Sequence, residues 1–354
     1  MSTDPNSRGE GKPPVELPPV DPPSAKFILQ LFVIPFLVVI VLVCVLLLVY
    51  GLFGKLAAGS RDALEHVQII RSGNENRRWR AAYELASLIH NEPSLAKDDQ
   101  LRRDLSTLLV DELNKPANEL KSETPQYLAL ALGAFDRLDG LEDPQPGTAL
   151  GALMRALDDS APAAVRAAAS QSLSRQAAKP GHGIPANVVV PGLVATTKTT
   201  SAESPDAAVE ARQHAAYALG YFDTPESRAA LAEAVGDENR LVRYNAASSL
   251  ARLDDLAGLP VLREMLSTKE LESAFAQALK DRAGPTRTMI EAVQTEALLA
   301  LGDALDRGES KLVDTLLPEL EALAKGESAT VAIEARSLLK KRQEQAGETS
   351  RPKS

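Results

Sequence analysis

Apolar positions along the chain follow two unlike patterns. Residues 27–54 carry no charged side chain, and their middle runs Val38, Val39, Ile40, Val41, Leu42, Val43, Cys44, Val45 and on to Val49 without a polar break. At ~1.5 Å per residue a helix of that length reaches about 42 Å, more than the ~30 Å hydrocarbon core of a bilayer requires. The pattern therefore predicts a transmembrane helix. Lys26 and Lys55 bracket it, where their stems can cross the interface and leave the ammonium groups among the headgroups. A secretory signal is a poorer description, because its apolar run is only ~7–15 residues and follows a short basic start.

Beyond Lys55 the pattern becomes a recurring small-small-leucine frame. Arg78, Ala81, Ala82 and Leu85 return as Arg212, Ala215, Ala216 and Leu219, and again as Arg243, Ala246, Ala247 and Leu250; Arg166, Ala169, Ser170 and Leu173 keep the same spacing. Matching Leu219-Gly220 to Leu132-Gly133 and Leu301-Gly302 gives two weaker copies, and Ala335 with Leu338 gives a last one. The anchors are then 78, 125, 166, 212, 243, 294 and 331, a mean step of about 42 residues, which suits a paired-helix repeat. Two small residues followed by leucine make a narrow stripe that lets a neighbouring helix approach closely. Apolar first helices are expected before these, over 188–194, 227–235, 259–266 and 312–323, with Pro191, Pro260 and Pro318 starting or bending them. Asp158-Asp159-Ser160 and the turn 236–239 are expected to cap second helices. Longer steps imply insertions at 179–187 with 196–205, and at 267–285, the latter an extra helix.

The sequence of an acidic or Asn cap, Val-Arg, Ala-Ala and Leu, clearest over 237–253, resembles the HEAT repeat, in the variety also found in phycobilisome-lyase-like proteins. That resemblance implies a stack of antiparallel helix pairs with an extended concave surface, usually one that binds other proteins. The expected organisation is all-α: a disordered Pro-rich tail over 1–26, the transmembrane helix over 27–54, an α-solenoid of about seven HEAT-like pairs over 61–343, and a disordered tail over 344–354.

Composition narrows the function. The chain has a net charge of -9, of which the tail contributes -1. A solenoid that acidic does not bind nucleic acid generally, since such binding rests on neutralising phosphates. The only cysteine, Cys44, lies in the predicted span. His66, His90, His182 and His214 have no metal-ligand spacing, and no catalytic motif occurs, so the reading is of a non-enzyme without cofactor. Only 4% of residues are aromatic.

Two surfaces are candidates. If the small stripe is buried, the positions one before and two and six after its first residue share another face. They give Arg80, Tyr83, Tyr127, Gln171, Arg175, His214, Tyr217, Tyr221, Asn245 and Arg252, then Glu296, and Tyr and Arg are enriched where partners bind. The second is Arg77, Arg78, Trp79 and Arg80, whose guanidiniums beside an indole suit anionic lipid headgroups, although Arg78 is also the repeat arginine. Basic residues flanking the span balance (Arg8, Lys12, Lys26 against Lys55, Arg61, Arg71) until Arg77, Arg78 and Arg80 are counted, which favours a cytoplasmic solenoid. The expected function is a single-pass membrane-anchored scaffold that holds a protein partner. A lyase-like or accessory subunit of a membrane enzyme is the alternative, as is a module that contacts anionic lipid.

Overall fold

The computed structural model describes residues 39–46, 60–116, 123–278 and 286–349. They fall in two compact units, Met1–Ala58 and Gly59–Ser354. In the first, residues 39–46 are helical, and Val39, Leu42 and Leu46 are each more than half exposed. The remainder of the predicted span and the tail of 1–26 lie outside the described residues. Among the described residues no helix is long and apolar enough to cross a membrane.

The described residues of the second unit form helices and no strand. In chain order these are α1 (Ser60–Ser72), α2 (Glu75–Asn91), α3 (Asp99–Leu113), α4 (Thr124–Gly133), α5 (Ala149–Ala156), α6 (Ala163–Ala177), α7 (Ala186–Thr196), α8 (Pro205–Leu219), α9 (Pro225–Ala234), α10 (Arg240–Arg252), α11 (Leu259–Leu266), α12 (Thr268–Ala278), α13 (Thr286–Asp306), α14 (Lys311–Thr315), α15 (Leu317–Ala324) and α16 (Ala329–Thr349). α2, α4, α6, α8, α10, α13 and α16 stack one on the next, each also packed on a partner helix from a second layer: α1, α3, α5, α7, α9, α11 and α15. Every anchor of the sequence frame falls in a stacked helix. The alanine pairs are why: Ala81, Ala82, Ala215, Ala216, Ala246 and Ala247 are at most 3% exposed, so neighbouring helices meet almost backbone to backbone. Ser172 and Ser249 exploit this closeness, each donating its hydroxyl at 2.8 Å to a carbonyl of the preceding stacked helix, Ala129 and Ala216 respectively. The buried side chains divide into two cores, one from Ala63 to Leu253 and one from Tyr244 to Leu338, and α10 contributes to both.

Local signals mostly land where the pattern places them. Pro260 and Pro318 occupy first turns, Pro191 lies within α7, and the insertion at 267–285 supplies α12. Asn239 caps α10 by accepting the Leu241 amide. The expected cap at Asp158-Asp159-Ser160 is corrected: α6 starts from Pro162 without a side-chain cap, because Asp158 closes its own turn on the Ser160 amide at 2.9 Å and Asp159 pairs with Arg166 at 2.9 Å. Over 344–349 the expected tail is instead the end of α16, which continues to Thr349 with Gln345 donating at 2.6 Å to the Leu305 carbonyl, and the rest of the tail lies outside the described residues.

A candidate partner-binding groove

The repeat arginines secure the turns at one edge of the stack. Arg212 Nε donates to Asp237 at 2.8 Å, in the turn that leads into α10, and its Nη1 donates to the Thr199 carbonyl at 3.1 Å. Arg243 holds the carbonyls of Asp237 and Glu238. Arg78 donates to the Ile70 carbonyl at 2.7 Å and pairs with Glu112, a nearly buried carboxylate that also accepts from Lys115 at 2.7 Å. This removes Arg78 from the predicted lipid cluster: its guanidinium is spent inside the first repeats. Arg77 and Arg80 remain exposed, with Arg80 lying 5.4 Å over the half-buried Trp79 ring.

On the free face of the stack the predicted residues gather into two groups. At the N-terminal end, Trp79 stacks on Tyr127 with centroids 6.0 Å apart, and Tyr83, 55% exposed, meets Tyr127 edge-on at 5.4 Å. Further along, α6, α8 and α10 bound a groove of about 360 Å³ lined by Gln171, Arg175, His214, Tyr217, Tyr221 and Asn245, with Ser174 and Ala178 completing it. Tyr221 donates its hydroxyl to that of Tyr217 at 3.0 Å, the rings meeting edge to face at 5.6 Å. Burial pushes the Tyr221 phenol well above its ordinary range, and burial holds the His214 imidazole below its own despite Glu210 nearby.

Arg252 is corrected from a contact residue to a support. It is 5% exposed and lies behind the tyrosines, 5.1 Å from the Tyr217 centroid and 4.7 Å from that of Tyr221, with Nε donating to Asp303 at 3.0 Å and Nη2 ion-paired with Glu296 at 3.8 Å. One of its terminal nitrogens, Nη1, is buried without a hydrogen-bond partner. Cation–π attraction and the α13 carboxylates together fix the guanidinium, and the guanidinium fixes the rings.

Residues 197–280, which include α8, α9 and α10 and half the groove, match the family model described as HEAT repeats. This stretch is built of HEAT repeats. The stacked pairs on either side follow the same plan, so the described second unit has a HEAT-like repeat fold throughout. Among solved structures, an engineered protein is similar at 18% identity over 80% of this chain and 97% of that one, with a TM-score of 0.41. Human deoxyhypusine hydroxylase in complex with glycerol is similar at 19% identity over 80% of this chain and 96% of that one, with a TM-score of 0.29. No curated protein sequence matches the chain.

The histidines stay apart. His66 pairs with Glu84 at 3.1 Å, and His182 accepts the Ile184 amide at 2.9 Å while its ring meets Phe222 edge-on. Among the described residues no three His, Cys, Asp or Glu side chains converge as a metal site. One feature of the repeats was missed from sequence: a hollow of about 620 Å³ beside α12, α13 and the start of α16, lined among others by Gln294 and Val331. Both stand at anchor positions where the stronger HEAT copies carry arginine, and that exchange was the available signal.

Proposed function

We propose that the chain is a single-pass, membrane-anchored HEAT-repeat scaffold that holds a protein partner against the free face of its stacked helices. The carrying observation is where the aromatic side chains lie. Of six tyrosines and one tryptophan in the whole chain, Tyr83, Tyr127, Tyr217, Tyr221 and Trp79 occupy that face, while Phe135 and Phe222 are buried in the core. Large, rigid, amphipathic rings with hydroxyls at their tips are the side chains that anchor partners most efficiently. Anchoring is supported by the uncharged run 27–54, and a bilayer tether raises the effective concentration of partners held at the same surface, so a modest groove suffices. The basic residues at 55–80 favour a cytoplasmic solenoid.

The test is capture from detergent-solubilised membranes. The full chain is expected to retain its partner, and Tyr83→Ala combined with Tyr217→Ala to lose it; undiminished capture by the double variant refutes the reading. Carbonate washing checks the anchor, since a chain with an intact span stays in the pellet and release into the supernatant would refute membrane spanning.

A further inference from the structure

We propose that the groove across α6, α8 and α10 receives an acidic, extended segment of the partner, with a side-chain carboxylate seated on Arg175 beside the Tyr217 hydroxyl. This rests on the partner-binding reading and gives the partner a chemistry. The chain has 48 Asp and Glu against 39 Lys and Arg, yet no carboxylate lines the groove. Glu210, one turn before His214, is outside the lining. Arg175 is exposed and, among the described residues, has neither an ion pair nor a hydrogen bond, whereas Arg166, Arg212 and Arg252 are all engaged. Lys179, a turn further along, is close enough to feel its charge and adds to it.

The polar groups around Arg175 are poised to donate. Because Tyr221 donates to Tyr217, the Tyr217 hydroxyl proton remains available, and the Gln171 amide lies on the same wall. A guanidinium presents two parallel N–H groups that match a carboxylate, a geometry with no equivalent for a neutral amide ligand. The 360 Å³ volume is at the small end of the ~300–1,000 Å³ typical of ligand pockets, which suits a few side chains of an extended segment. Arg252 behaves here as a positioning residue, keeping the two rings upright behind the seat.

The full chain in detergent is titrated with a fluorescent glutamate-rich peptide capped at both ends, and with the matching glutamine peptide, capped and uncapped. The capped glutamate peptide is expected to bind about tenfold or more tightly than the capped glutamine peptide, as a charge-assisted hydrogen bond allows, with the preference lost in Arg175→Gln and reduced in Tyr217→Phe. Arg307→Gln, a change of an exposed arginine elsewhere, is expected to keep it. Equal affinity for the capped peptides, an unaltered preference in Arg175→Gln, or an equal loss in Arg307→Gln overturns the proposal. So does tight binding of the uncapped glutamine peptide, which would assign the seat to a terminal carboxylate. If the glutamate peptide fails while the Tyr83 and Tyr217 double variant still abolishes capture, only the acidic assignment falls; if capture survives that variant, the partner-binding reading falls instead.

Discussion

The pair Leu-Gly occurs three times in the stacked helices, and it serves two different purposes. At Gly133 and Gly220 the next stacked helix comes so near that an added Cβ would lie 2.4 Å from Ser172 Oγ in one case and 2.6 Å from Ser249 Oγ in the other. At Gly302 the nearest atom to such a Cβ is Leu338 Cδ1, 4.0 Å away, and Ser337, which holds the frame position of Ser172 and Ser249, is exposed. The same residues are present, but the seam between α13 and α16 is open. A bulkier residue accompanies the difference: four positions before the glycine the closely packed seams carry Ala129 and Ala216, both fully buried, whereas this repeat carries Leu298, 3% exposed, and a larger side chain at such a position is what sets backbones further apart. The arginine that fastens the turns is replaced too, by Gln294 and Val331, and the hollow beside α13 is the space left over. A repeat frame thus states which residues face a neighbour, while the distance depends on the size of a few of them.

Substitution at the three glycines is the strongest way to break this comparison. Gly133→Ala and Gly220→Ala each force a helix shift, since a Cβ at Gly133 would also approach the Ser172 Cα at 2.8 Å and one at Gly220 would approach Arg252 Nη1 at 2.8 Å. A loss of about 1–3 kcal/mol is expected for each, as for overpacked cores, read by chemical denaturation of the full chain in detergent. If both variants match the parent, the seams are looser than described. Next in size is the serine that bridges them. Ser172→Ala or Ser249→Ala removes a buried hydroxyl-to-carbonyl bond and is expected to cost about 1 kcal/mol, while Ser337→Ala changes stability by less than ~0.5 kcal/mol. Equal costs at all three sites would remove the distinction between the seams.

Much of this was legible because the repeat frame is local. The small-small-leucine frame identified four of the stacked helices, the Leu-Gly pairs and Ala335 with Leu338 the other three, and the positions flanking them brought Gln171, Arg175, His214, Tyr217, Tyr221 and Asn245 to one groove. The failures share a cause, which is a partner distant in sequence. Arg252 shares the frame position of Arg175, but Asp303, 51 residues on, draws its guanidinium beneath the tyrosines. Arg78 is drawn inward by Glu112, 34 residues on. No window of sequence around either arginine contains the carboxylate that claims it.

A smaller effect of opposite sign is expected at Gly302. In an open seam the residue has no close approach to protect, and glycine within a helix costs about 0.5–1 kcal/mol relative to alanine, so Gly302→Ala should stabilise the chain by about that amount. A loss instead would show that α16 packs more closely on α13 than the 4.0 Å gap indicates.

The smallest effect separates the two regions by pH. Burial lowers the imidazole of His214 in α8 and of His182 in the loop before α7, and no histidine occurs beyond position 214. A group whose folded value lies below its unfolded value of ~6.5 binds fewer protons when folded, so stability is full above that pH and falls as the pH drops through the window beneath it. Hydrogen exchange of the full chain should therefore show protection in α6 and α8 weakening first as the solution is acidified from pH ~7 toward ~5, before carboxylates near their ordinary range begin to protonate. Protection in α13 and α16 should hold over the same interval. His214→Gln is expected to flatten the response of α8, and a response in α13 and α16 as large as that in α8 would mean the two cores, joined through α10, open as one unit.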